Sequence, residues 1–167
     1  MRLDLQPEAV PFETFAIHYS TIHWYGSKGY FAASGQLELP EGYTRDDLTR
    51  DLELALTIGG ESATNTVALE EHGQVWSFRG RVHYPIKGVQ LTRAIIVWPR
   101  SGAYPPTFIL RGMLSLPGVN RKTRPAEATV GLSLPLFEDR PVERVVGEET
   151  VSFQTHHRLW LYRLWRK

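Results

Sequence analysis

The feature that most constrains this chain is an internal repeat. "FAASGQLELP" at 31–40 returns as "FILRGMLSLP" at 108–117, with Phe, Gly, Leu, Leu and Pro in the same places. "TVALEEHGQVWSFR" at 66–79 returns without a gap as "TVSFQTHHRLWLYR" at 150–163, sharing Thr, Val, His, Trp and Arg. Unrelated segments of ordinary composition agree at roughly one position in fifteen to twenty, so both matches stand above background. Upstream, Ile22/Ile96, Trp24/Trp98, Ser27/Ser101 and Tyr30/Tyr104 also correspond, and the offset grows from 74 to 77 to 84. Loop insertions account for that growth. The chain divides into an extension at 1–11, a first unit at 12–88 and a second at 89–167.

Each unit has the period of two of half-buried strands. Phe31, Ala33, Gly35, Leu37 and Leu39 share one face, as do Leu52, Leu54, Leu56 and Ile58, and Val130, Leu132 and Leu134. "QVWSFRGRVHY" places Trp76, Phe78, Val82 and Tyr84 inward, against Ser77, Arg79, Arg81 and His83 outward. The first strand of each unit changes phase, from odd positions (Phe15, Ile17, Tyr19; Val89, Leu91) to even ones (Ile22, Trp24; Ile96, Trp98). One extra residue flips every face downstream, so a β-bulge is expected near Ser20–Thr21 and near Ala94–Ile95. "TRDDLTRD" at 44–51 is at best one helical turn leading into a strand.

About five strands in roughly 75 residues make a thin core. The expected fold is therefore all-β: two tandem five-stranded repeats sharing one core in a β-sandwich or flattened barrel, with a pseudo-two-fold axis. Two separate small sandwiches are the alternative. The short join "HYPIKGVQL" has no linker composition and favours the shared core.

Composition narrows the function classes. A length of 167 residues, 42% hydrophobic and 22% charged, is that of a globular chain, and a net charge of +1 with interspersed signs points away from nucleic acid. There are no cysteines, which removes disulfides, thiolate metal sites and cysteine nucleophiles. "MRLDLQPEAVPF" lacks an apolar run of signal-peptide length, and the ten-residue "RLWLYRLWRK" is too short to span a bilayer, so no transmembrane segment is expected. The compartment is left open.

Catalytic and metal motifs are thin. His72 aligns with His156 in the turn before the tryptophan strand; His156 and His157, adjacent in a strand, point to opposite faces and cannot chelate one ion together. His18, His23 and His83 are scattered, and no HExxH occurs. Asp46, Asp47 and Asp51 lack EF-hand spacing, and GxSxG is absent. The reading is non-enzymatic, with no catalytic residues, no cofactor and no metal.

The aromatics are more informative. Flat rings stack on sugar faces, and Tyr19, Tyr25, Tyr30, Tyr43 and Tyr104 are the candidates for a glycan-binding surface. Trp24, Trp76, Trp98 and Trp160 pair across the repeat and read as core. In the closing strand, Val75, Ser77, Arg79 and Arg81 become Leu159, Leu161, Arg163 and Trp165, so that the last strand is apolar on both sides. Such a strand calls for a cover. Leu159, Leu161, Arg163 and Trp165 are therefore the expected interaction surface, for a second copy or another protein.

Phe31, Gly35, Leu37, Leu39 and Pro40, then Leu54, Leu56, Ile58, Gly59 and Gly60, then Trp76, Phe78 and Gly80 form a pattern. It resembles the β-sandwich repeats of large bacterial cell-surface and secreted proteins. The second unit keeps the first motif but has Pro135–Leu136 for Gly59–Gly60 and Leu164 for Gly80. The resemblance implies a structural or adhesive role, extracellular or at the cell surface, with no catalytic residues to carry over. The expected function is a structural or protein-interaction module associating through its C-terminal strand; the alternative is a carbohydrate-binding module using surface aromatics.

Overall fold

The computed structural model describes residues 8–100, 102–117, 127–136, 143–152 and 154–156. Twelve strands follow one another: β1 (Glu8–Pro11), β2 (Thr14–Tyr25), β3 (Lys28–Glu38), β4 (Asp51–Ile58), β5 (Glu61–Ala68), β6 (Glu70–His72), β7 (Val75–Arg79), β8 (Gly88–Val97), β9 (Thr107–Ser115), β10 (Glu127–Pro135), β11 (Glu143–Ser152) and β12 (Gln154–His156). One 3-10 turn at Arg45–Asp47 precedes β4, capped by the Asp47 carboxylate, which accepts the Thr44 N–H at 2.8 Å. Among the described residues no helix is long and apolar enough to cross a membrane.

The strands form two packed sheets, a five-stranded one ordered β1-β11-β10-β4-β5 and a seven-stranded one ordered β12-β2-β3-β9-β8-β7-β6. Neighbours are antiparallel except at two outer pairs, β1 with β11 and β12 with β2. This is an all-β sandwich. Both sheets draw on both halves of the chain: β3 pairs with β9 and β4 with β10. Two independent small sandwiches are therefore not the arrangement found.

The alternation read from the sequence fills the space between the sheets. Phe31, Leu37, Leu52, Leu54, Ile58, Leu110, Leu132 and Leu134 are at most 2% exposed, and Trp24, Trp76 and Trp98 join the same buried cluster. At the centre of the seven-stranded sheet Phe31 lies opposite Gly112, and Phe108 opposite Gly35. The Phe31 ring uses the room that Gly112 leaves, and Gly35 lets the Ala16–Ile17 backbone come close. A Cβ on Gly112 would stand 2.6 Å from the Phe31 ring, and one on Gly35 would collide with the Ala16 carbonyl.

Both bulges exist, two to three residues earlier than expected. The register of β2 on β3 shifts between Ile17 and Tyr19, and that of β8 on β9 between Leu91 and Arg93. Both stretches, Ile17–Thr21 and Leu91–Ile95, mix polar and apolar residues, so side-chain character does not mark which one is extra. Hydrogen bonds from the opposite sheet fix the place. The Asn65 Oδ1 of β5 accepts the Leu91 N–H at 2.9 Å, and the Glu149 carboxylate of β11 accepts the Ile17 N–H. The strand expected to run on through Val82 and Tyr84 instead ends at Arg79, and Val82 is 72% exposed.

Candidate binding face on the seven-stranded sheet

Each bulge decides what one residue does. Phe15 and Ile17 pack against the core, so unbroken alternation would turn Tyr19 inward as well; with His18 inserted, Tyr19 faces out and is 54% exposed. Val89 and Leu91 are buried, and the same logic would bury Arg93. With Thr92 inserted, Ala94 and Ile96 turn inward and Arg93 faces out. A bulge re-aims side chains, and here both bulges supply the outer face of the same sheet.

That face can be read row by row from the register. Tyr25 lies opposite Lys28, which faces Ser115; His23 lies opposite Tyr30, which faces Met113. The next row is Thr21, Ala32, Arg111, Arg93 and Arg79, and the one beyond it is Tyr19, Ser34, Ile109, Ile95 and Ser77. Tyr25 is diagonal to Tyr30, a separation of about 7–8 Å that ring-sized side chains bridge. The segment after β7 brings Tyr84 under Lys28, whose Nζ stands 5.6 Å from the ring centroid. Partial burial, and next the charge on Tyr25, raise the Tyr84 phenol above its ordinary value.

Of the five tyrosines singled out in the sequence, Tyr19, Tyr25 and Tyr30 therefore share one face. Tyr43 and Tyr104 do not. Tyr43 is half-buried against the core cluster. Tyr104, 74% exposed, lines a depression of about 520 Å³ with Arg45, Gln74, Trp98 and Arg100 at the opposite end of the sheet. With the Gln74 amide turned so that its oxygen faces Arg100, that oxygen accepts the Nε–H at 2.8 Å. Behind that depression Trp98 and Trp76 meet edge to face at 5.2 Å, each with a buried indole N–H that finds no acceptor among the described residues.

The residues expected to form an interaction surface, Leu159, Leu161, Arg163 and Trp165, lie outside the described residues, as does Trp160. Their approach is described: β12 lies beside β2, with Gln154, Thr155 and His156 opposite Thr21, Ile22 and His23.

The outer face of the five-stranded sheet is chemically different. Ser62, Thr57, Thr129 and Thr150 cross it in one row, tied by hydroxyl contacts of 2.9 Å between Thr57 and Ser62 and 3.1 Å between Thr129 and Thr150. On this face Arg144 stands 3.8 Å from Glu53. Sequence reasoning found the tyrosines but missed the row Arg79, Arg93 and Arg111. Arg79 was visible as an outward residue; its neighbours became visible only with strand order and register. Among the described residues no cluster of three His, Asp or Glu side chains is placed to hold a metal ion. In comparisons with known proteins, no family model matches the chain, and no curated protein or solved structure gives a significant match.

Proposed function

We propose that this protein is a non-catalytic carbohydrate-binding module whose binding face is the outer surface of the seven-stranded sheet. One observation carries the reading: Tyr19, Tyr25 and Tyr30 share that face on the hydrogen-bonded pair β2–β3, with Tyr19 and Tyr25 54% and 43% exposed. Rings on a rigid strand pair lose little freedom when a sugar stacks on them, and their hydroxyl edges remain wet. Isothermal titration against a panel of soluble polysaccharides tests it. Tyr19→Ala and Tyr25→Ala are each expected to weaken binding roughly tenfold, the scale of one aromatic contact. Unchanged affinity in both would refute the reading.

A second reading, association through the C-terminal strand, is supported by the position of β12, the outermost described strand of its sheet. Edge strands offer unpaired backbone groups to another chain. Light scattering after size exclusion is expected to give a dimer or larger species that Trp165→Arg dissolves. Monomers in both would end it.

We propose also that the sandwich is one duplicated unit built around a shared core. The exchange of partners Phe31–Gly112 and Gly35–Phe108, the two bulges, and their two polar anchors Asn65 and Glu149 support this reading. Each keeps its form when the units are interchanged.

A further inference from the structure

Arg79, Arg93 and Arg111 sit directly opposite one another on β7, β8 and β9: Arg79 pairs with Arg93, and Arg93 with Arg111. Neighbouring strands lie about 4.8 Å apart, so the three backbone positions span about 10 Å. All three side chains are on the outer face, Arg79 and Arg111 exposed and Arg93 half-buried. Guanidinium groups stay charged at every physiological pH, and like charges directly opposite destabilise a sheet. Neutral residues would pack there at no such cost. Among the described residues no carboxylate forms an ion pair with any of the three; the ion pairs present lie elsewhere, at Arg50–Glu71, His72–Glu70 and Arg144–Glu53.

The arrangement is also built rather than incidental. Arg93 reaches this face only because Thr92 is the extra residue of a bulge, and that bulge is anchored from the other sheet by Asn65. The row continues onto β3 and β2 as Ala32 and Thr21, with Tyr19 in the row on one side and His23 and Tyr30 in the row on the other. A ligand lying across the strands would meet tyrosines on β2–β3 and guanidinium forks on β9, β8 and β7.

We infer that the ligand of this face is an acidic polysaccharide, whose carboxylate or sulfate groups are held by Arg79, Arg93 and Arg111. Planar guanidinium groups bind both oxyanions in bidentate fashion, and an anion seated among the three removes their mutual repulsion. Nucleic acid fits less well. Its binding rests on many phosphate contacts over an extended basic surface, whereas this chain has a net charge of +1 and the cations placed on this face are one short row of three arginines and Lys28, which stands over the Tyr84 ring. The inference rests on the glycan reading above and specifies its ligand class.

The test measures binding of the full chain to polygalacturonate, dextran sulfate, unsubstituted dextran and a single-stranded oligonucleotide at physiological salt. Wild type is compared with Arg93→Gln, Arg111→Gln and the two tyrosine variants. The expected result is binding to one or both acidic polysaccharides, no binding to dextran, and a loss of roughly tenfold for each arginine removed. Preference for polygalacturonate assigns carboxylate as the anion, and preference for dextran sulfate assigns sulfate; either supports the inference. Arg93→Gln is also expected to melt at or above the wild-type temperature, because it relieves repulsion; an arginine kept for stability would give the opposite. Equal binding of dextran with tyrosine dependence overturns the inference and leaves the glycan reading standing. Arginine dependence without tyrosine dependence keeps the acidic ligand and removes the stacking platform. Tighter binding of the oligonucleotide, or binding of none of the four, overturns both.

Discussion

At the scale of single residues, the positions that matter most are those where one side chain fills the space that a facing glycine leaves. Gly112 and Phe31 are such a pair, and the facing Gln90 carbonyl oxygen would stand 2.7 Å from any Cβ placed on Gly112. Gly112→Ala should therefore overpack the centre of the sheet and cost about 1–3 kcal/mol. Gly102→Ala, with nothing within 4 Å of its Cβ, is the control and should be near neutral. Thermal unfolding of the two variants checks this; equal melting temperatures would show that the Phe31 ring gives way. The repeated Phe and Gly were legible in the sequence. That each phenylalanine faces the other unit's glycine was not, because cross-strand register joins residues some 80 positions apart.

Strands and their bulges set the next scale. Each bulge leaves a backbone N–H that the ladder does not use, and a side chain from the opposite sheet takes it: Asn65 for Leu91, Glu149 for Ile17. Asn65→Leu and Glu149→Leu should each cost about 1–2 kcal/mol, toward the lower end of the penalty for a donor left without a partner, because both hydrogen bonds are partly buried. Asn65→Asp and Glu149→Gln keep an acceptor and should recover most of it. Chemical denaturation measures the four, and equal loss in the Leu and conservative variants would mean that packing, not the hydrogen bond, sets the bulge. The function proposed here adds a second readout. Asn65→Leu lets Arg93 leave its row, so it should weaken acidic-polymer binding although Asn65 is on the other sheet. Phase change from odd to even positions announced both bulges; their location two or three residues upstream followed from hydrogen bonds between sheets, which sequence periodicity does not contain.

For the whole molecule, the decisive fact is that each half completes the sheets of the other. A fragment of residues 12–88 loses the β9 partner of β3 and the β10 partner of β4, exposing two central strand edges. It should have no stable folded monomer, shown by poor dispersion of its amide resonances, while the full chain unfolds in one cooperative transition. A folded monomeric fragment would make the halves independent. Alternating apolar positions and glycine-rich turns determined by themselves that this protein is all-β and which strand faces are buried. Those properties depend on neighbours within a few residues, where the period of two is written directly. Strand order, register and bulge position were decided only by tertiary structure. They depend on how two sheets bury one core, and through them three arginines from β7, β8 and β9 came to stand in one row.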